Sequence, residues 1–323
     1  MIGTKTPFRM SFIGGGSDLK EFYSRSNGSV LSTSINKYMY VFIHPFFDNR
    51  IQIKYSKTEL VDKIEDIKHP IVRTILNKFK LIGIDINSIA DIPSGTGLGS
   101  SSSYTVGLLH AIYKYNGIEI NSKELSEKAC EIEIDLLNEP IGKQDQYAAA
   151  YGGLNVINFF KNGSVKVEPV NIEKETLYNL QRNLLLFYTG HTRKASDILI
   201  HQKKGIINDE KKFLTQKKMT SLVKEAKVCL EKSNLDDFGK ILNKNWVLKR
   251  SLSKKISNSH IDDIYDIALK SGATGGKILG AGGGGFLLLY CIKEKQKKLR
   301  NRLRELREIE FSFDSSGSTS IEF

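Results

Sequence analysis

The chain predicts an α+β fold, with strands and helices both present but segregated. Three observations carry that reading. The N-terminal third holds short apolar segments rich in Val, Ile, Tyr and Phe, separated by turns. The stretch from 194 to about 257 is helical in pattern and rich in charge. No regular strand–helix–strand series runs through either half. The 323 residues suffice for one large domain or two ordinary ones. The expected division gives an N-terminal domain over 1–170 and a C-terminal domain over 171–323.

Taken in order, Phe8 to Ile13 reads as a strand ending in Gly14-Gly15-Gly16. Ser29 to Ile35 and Tyr38 to Pro45 read as a strand pair, and Ile51 to Tyr55 as an exposed strand. His69 to Phe79 places Ile71, Ile75, Leu76 and Phe79 on one helical face. Ile84 to Ile92 is a strand that runs into the stretch PSGTGLGSSSSY. An almost wholly apolar helix follows, with Val106, Leu108, Leu109, Ile112 and Tyr113, stopped near Gly117. Ser122 to Asn138 predicts one helix with a serine cap. Gly152 to Phe160, Val165 to Val167 and Leu184 to Tyr188 read as strands. Ile261 to Lys270 is helical, and the glycine-rich turn from Gly280 to Gly285 feeds a strand from Phe286 to Ile292. A charged helix and a Ser-rich tail close the chain.

Composition narrows the function classes. Three scattered cysteines argue against a disulfide framework and a zinc cluster. The start, MIGTKTPFRMSFIGGG, lacks a signal-peptide pattern, so a cytoplasmic location is expected. The apolar run FLLLYCI is far too short to span a membrane, and no membrane partner is expected. A net charge of +12 raises nucleic acid as a partner. However, the basic residues are spread widely, and KQKKLRNRLRELREIE interleaves them with leucines as a solvated helix would. No nucleic-acid partner is expected; a positive field also suits an anionic small molecule.

The stretch from Pro93 to Ser102 suits phosphate. Gly95, Gly97 and Gly99 remove side chains just ahead of Ser100, Ser101 and Ser102, where a helix begins. Helix N-termini present unpaired N–H groups and the positive end of the dipole. Such a loop can cradle oxygens on its amides while a serine hydroxyl reaches a phosphate or cation. A plain turn with a serine cap is the bland alternative, and four successive serines before a buried helix weigh against it. No lysine follows the last glycine, which excludes the common nucleotide-binding loop with that signature.

PSGTGLGSSSSY resembles the second motif of the GHMP kinase superfamily. Pro7-Phe8-Arg9 through Gly14-Gly15-Gly16-Ser17-Asp18-Leu19 resembles the first motif, and GATGGKILGAGGGGFLLLY resembles the third. The three occur in the family's order and span nearly the whole chain. The resemblance implies a ribosomal protein S5 domain 2-like N-terminal domain and a ferredoxin-like α/β C-terminal domain. It also implies ATP and Mg2+ as cofactors and a small-molecule sugar phosphate as partner; a homodimer is compatible with it.

The site it implies is specific. Pro93, Gly95, Gly97, Leu98, Gly99, Ser100, Ser101, Ser102, Gly282 and Gly283 would bind the nucleotide. Ser101 and Glu133 would hold the metal, since magnesium takes hard oxygen ligands. Glu133 lies twelve residues before Asp145, the family's spacing, while Glu131 would face the other side of a helix. Asp145 would be the catalytic carboxylate, and Arg9 the cation beside it. Asp18 would accept hydrogen bonds from sugar hydroxyls on a loop built by Gly16 and Ser17. The glycine motif here reads Gly-Gly-Gly-Ser-Asp where galactokinases carry Gly-Glu-His-Thr-Asp, which argues against galactose. TPFRMSFIGGGSDL, GKQDQYAAAYGGLN and YTGHTRKASDIL resemble the sugar-1-kinases that act on heptose 7-phosphate, in nucleotide-activated heptose synthesis for surface polysaccharide. L-fucose kinases share part of the pattern and are the alternative. A substrate that already carries a phosphate needs a second anion site, for which Arg193, Lys194 and Lys143 are the candidates. A non-catalytic sugar-binding regulator would be expected to have lost one of these groups, and all are present.

Overall fold

The computed structural model describes residues 1–190 and 195–322. The chain is mixed α and β and builds two sheets. The larger has its spine in β1 (Ile2–Ile13) and β2 (Gly28–Pro45), paired antiparallel from Ile2 opposite Ile43 to Ile13 opposite Leu31. On the edge of β2 away from β1, β5 (Ile84–Ala90) pairs with its C-terminal half, with β3 (Ile51–Lys54) and β4 (Thr58–Val61) beyond it, and β6 (Leu154–Phe159) pairs with its N-terminal end, with β7 (Val165–Pro169) beyond. The smaller sheet contains β8 (Leu184–Tyr188), β9 (Gly275–Ile278), β10 (Phe286–Tyr290) and β11 (Arg307–Glu308) in the order β11-β8-β10-β9. The Ser-rich tail then returns to the first sheet. β12 (Phe313–Asp314) pairs with β2, and β13 (Thr319–Glu322) pairs with β1. A cut at residue 170 therefore leaves two strands of the larger sheet in the C-terminal segment.

The strand pair expected over 29–45 is one continuous strand. β1 supplies a partner on both sides of the junction, and the two extra residues, Asn36 and Lys37, are absorbed where the register shifts between Pro7 and Phe8. Asn36 is tied down by exchanging hydrogen bonds with Ser312.

Helices are α1 (Lys20–Tyr23), α2 (Pro70–Phe79), α3 (Ser100–Tyr115), α4 (Ser122–Cys130), α5 (Gln144–Tyr151), α6 (Lys174–Asn183), α7 (Ala195–Asn208), α8 (Glu210–Glu231), α9 (Leu235–Leu252), α10 (Ser259–Lys270) and α11 (Lys293–Arg302). α3 matters most for the site. It lies on β1, where Gly107 permits close approach: a Cβ there would come within 2.8 Å of Thr6 Oγ1. Thr4 Oγ1 donates to the Gly107 carbonyl and Ser103 Oγ to the Pro7 carbonyl. These contacts fix where the N-terminus of α3 points. The helix expected over 122–138 changes character. α4 is capped by Asn121, whose side chain accepts from the Glu124 N–H, rather than by Ser122. At Glu131 it widens into a π-helical turn, Glu131–Leu136, a rare form that often marks functional sites. The main core fills the space between the two sheets and the α3 and α8 helices. A second cluster around Trp246, Tyr265 and Leu287 lies on the other face of the small sheet.

Candidate active site

A cleft of about 350 Å³ opens where the loop after β1, the N-terminus of α3 and the loop between β9 and β10 meet. Gly95, Gly97 and Gly99 all have positive φ, 77°, 89° and 78°, which glycine adopts without strain. Two loops stack backbone on backbone here. A Cβ at Gly97 would lie 2.5 Å from the Leu279 carbonyl, and one at Gly280 would lie 2.6 Å from Gly97 Cα. The third glycine motif thus packs on the second, which explains why both must lack side chains. Gly99 caps α3 with no side-chain hydrogen bond, so the first-turn amides of α3 stand toward the cleft uncapped. Ser100, Ser101 and Ser102 line it. That is an anion-binding geometry. Pro93 and Leu98 shape the loop rather than line it: the Pro93 carbonyl accepts from Thr96 Oγ1, and the Leu98 carbonyl accepts from the Arg9 N–H.

Arg9 and Asp145, 136 residues apart, meet at the centre of the cleft. Nε donates to Oδ1 at 2.8 Å and Nη2 to Oδ2 at 2.7 Å, a two-pronged clamp. Nη1 donates to the Gly97 carbonyl at 2.5 Å. The Arg9 side chain is 5% exposed, while a quarter of the Asp145 side chain still faces solvent. The clamp fixes the carboxylate and joins it to the phosphate-type loop.

Asp18 is buried and accepts from the Gly16 N–H, the Gln144 N–H and Gln144 Nε2, at 3.0, 3.2 and 3.1 Å. Burial and then the nearby Asp145 charge push its carboxyl above the ordinary range, against the pull of those amides. Gly142 must be glycine, since a Cβ would lie 2.0 Å from Asp18 Oδ2.

Glu133 sits in the π-helical turn, 1% exposed. It accepts from Ser101 Oγ at 3.2 Å and from Gln146 Nε2 at 2.6 Å. Burial drives its carboxyl up to about 7, the Asp145 charge adds to the rise, and hydrogen bonds from Ser102, Gln146 and Ser101 oppose it. Among the described residues it has no ion-pair partner. Glu131 faces outward and pairs with Lys78 and Lys128, as its position on the opposite face requires. The Ser101 hydroxyl and Glu133 carboxylate are the hard oxygen pair that magnesium accepts, and no cluster of three ligating side chains is found among the described residues. The donor set therefore fits an ion that takes its other ligands from phosphates and water.

Several expected residues lie elsewhere. Ser17 is fully buried, with its hydroxyl exchanging hydrogen bonds with the Ser29 backbone, so it holds the glycine loop to β2 and does not face the cleft. Lys143 points away from Asp145: its ammonium donates to the Gly163 carbonyl and lies over the Tyr23 ring, in a separate cavity. The main chain turns there because the Lys143 N–H bonds the Asp18 carbonyl. The Gly283 N–H is spent on the Ile256 carbonyl, while Gly282 and Gly284 line the cleft. Arg193 and Lys194 lie outside the described residues. In contrast, Gln144 and Gln146, which flank Asp145, brace Asp18 and Glu133; the motif GKQDQ carried them unnoticed. Lys249 and Lys277 also line the cleft.

With this geometry in hand, comparison with known proteins is direct. The family description "GHMP kinases N terminal domain" matches residues 66–153, and "GHMP kinases C terminal" matches 226–308. The chain is 31% identical to a D-glycero-alpha-D-manno-heptose 7-phosphate kinase of Campylobacter jejuni, over 99% of this chain and 98% of that one. It is 25% identical to a bifunctional fucokinase/GDP-fucose pyrophosphorylase of Arabidopsis thaliana, over 94% of this chain and 31% of that protein. A crystal structure of a D-glycero-D-manno-heptose 1-phosphate kinase from Bacteroides thetaiotaomicron superposes with a TM-score of 0.83 at 24% identity, covering 100% of this chain and 99% of that one, and so shares the fold. The chain belongs to the GHMP kinase family, and by that membership it is a kinase.

Proposed function

We propose that the protein is a sugar-1-kinase that transfers the γ-phosphoryl group of ATP to the anomeric hydroxyl of D-glycero-D-manno-heptose 7-phosphate. The product is the 1,7-bisphosphate, a precursor for nucleotide-activated heptose of surface polysaccharide. The observation that carries this reading is the Arg9–Asp145 clamp, set between the uncapped N-terminus of α3 and the glycine-held Asp18. Full-length similarity to a heptose 7-phosphate kinase supports the choice of sugar.

In the reaction, the amides of α3 and the hydroxyls of Ser100 to Ser102 bind nucleotide phosphate oxygens. Ser101 and Glu133 would hold magnesium, which supplies charge neutralisation at the phosphates. Asp18 accepts hydrogen bonds from sugar hydroxyls and sets the ring's position. Asp145, oriented by Arg9, accepts the hydrogen bond of the attacking hydroxyl. The anomeric oxygen bonds to the γ-phosphorus as the bond to the β,γ-bridging oxygen breaks, and the electron pair leaves with ADP. The hydroxyl proton passes to Asp145 and on to solvent. Positioning and electrostatics contribute most, because phosphoryl transfer needs little prior deprotonation of the acceptor.

A coupled ADP-release assay with magnesium tests the reading. D-glycero-D-manno-heptose 7-phosphate, sedoheptulose 7-phosphate, L-fucose and D-mannose are compared at equal concentration. A large preference for the heptose phosphate is expected. Preference for L-fucose would replace it with the fucose-type reading.

A further inference from the structure

We propose that Lys249 and Lys277 are catalytic residues of this cleft, which together contact the phosphoryl group in transit between nucleotide and acceptor. The inference rests on the kinase reading above and assigns that site two further groups.

Both side chains are almost wholly buried, 3% and 1% exposed, and both line the cleft. Lys249 sits in the last turn of α9 and donates to the Gly280 carbonyl. Lys277 sits on β9 and donates to the Ser11 carbonyl. Among the described residues, neither ammonium has an ion-pair partner. An ammonium carries three N–H donors, so each holds donors beyond that one bond. A buried cation without a counter-ion is costly, and a carbonyl would be served as well by a neutral donor. The cost is visible at both groups. Burial, and then the Arg9 charge, bring Lys249 down to about 8, against the opposite pull of Asp18 and Asp145. Burial, then Lys249 and Arg9, bring Lys277 well below its ordinary value. Three cations thus repel one another across one space, with Asp18 and Asp145 as the acids that act on Lys249.

Placement points to the ligand. Gly280 abuts Gly97 of the phosphate-type loop, and Ser11 lies two residues beyond Arg9 on β1. The two ammonium groups therefore flank Arg9 where the donor and acceptor sides of the cleft meet. The Arg9 charge is already matched by the Asp145 carboxylate, and its third bond goes to the Gly97 carbonyl. The uncommitted positive charge belongs to the lysines. A transferring phosphoryl group spreads charge over three equatorial oxygens, and cationic clamps on it are a main source of rate.

The test separates the γ-phosphoryl from the rest of the nucleotide. Lys249→Met and Lys277→Met are titrated calorimetrically with magnesium and either ADP or the non-hydrolysable β,γ-imido analogue of ATP. The expected result is at least a tenfold loss of affinity for the analogue, with ADP affinity within about twofold of wild type. Unchanged ADP affinity also shows that each variant is folded. A kcat loss of about a hundredfold, partly recovered in Lys249→Arg, is expected alongside. Equal loss for both nucleotides would mark the lysines as clamps of the loop and overturn the inference alone. Unchanged affinity for both nucleotides would overturn it too. If wild type bound neither nucleotide, the kinase reading would fall, and this inference with it.

Discussion

Replacing Glu133 with glutamine should make the metal-free protein more stable at alkaline pH while removing its response to magnesium. The wild-type carboxyl has an ordinary value of 4.5 and is driven up to about 7, mainly by burial. The folded state therefore holds a proton that the unfolded chain releases. As pH rises from 4.5 toward 7 the unfolded state is favoured, and the penalty is complete above 7. At about 1.4 kcal/mol per pH unit the full penalty is about 3 kcal/mol, of which about 2 kcal/mol falls between about pH 5.5 and 8.5. The introduced amide would keep the hydrogen bond from Gln146 through its carbonyl oxygen and would donate to Ser101 through its nitrogen. The assay is urea unfolding of wild type and Glu133→Gln without divalent ions across that range. The difference between the two curves isolates this group from the others, Lys249 among them, which burial brings down to about 8. The variant should gain about 2 kcal/mol relative to wild type between the two ends. Millimolar magnesium added to ADP-bound protein should then stabilise wild type beyond ADP alone and leave the ADP-bound variant unmoved, because an ion that binds only the folded state adds to its stability. Parallel pH profiles would refute the assignment of Glu133 as a buried carboxyl awaiting a cation.

Asp145→Asn should lower kcat by about a hundredfold or more and also cost about 2 kcal/mol of stability, since one amide oxygen can accept only one of the two Arg9 bonds and the buried guanidinium loses its counter-ion; turnover near wild type would remove Asp145 from the reaction. Gly97→Ala should cost about 2 kcal/mol or more and weaken nucleotide binding, because φ is 89° and the new methyl would meet the Leu279 carbonyl at 2.5 Å. An unchanged denaturation midpoint would contradict the stacked-loop account. Lys143→Met should leave the KM for the sugar substrate within about twofold, since its ammonium faces another cavity; a large rise in KM would return it to the substrate site.

Local pattern carried the site further than it carried the fold. The glycine and serine spacing around Gly95 to Ser102 marks the α3 N-terminus because the chain must turn with positive φ and then start a helix at once. Glu133 is separable from Glu131 by the twelve-residue spacing to Asp145 that the family resemblance implies, with helical phase setting the two on opposite faces, and the widening to a π-turn leaves them so. What stayed hidden depends on distant segments. β2 reads as two strands because Asn36-Lys37 looks like a turn; β1, paired on both sides of that point, and the tail residue Ser312, bonded to Asn36, keep it whole. The tail reads only as Ser-rich, with no strand marked in it, yet it pairs with β1 and β2, at the opposite end of the chain. Ser17 next to Asp18 looks like a binding residue, and its role is fixed instead by the Ser29 backbone across the turn. Lys249 sits in a charged helical stretch beside Arg250. Nothing in its neighbours marks it as buried; that follows from the packing of α9 against β9.

In the proposed reaction the new phosphate goes to the anomeric oxygen of a heptose 7-phosphate. Phosphorus NMR of the product formed from D-glycero-D-manno-heptose 7-phosphate, ATP and magnesium tests it most directly. A second sugar-phosphate resonance coupled to the anomeric proton, with the original 7-phosphate retained, is the expected result. A new phosphate coupled to any other ring proton, or none at all, would contradict it.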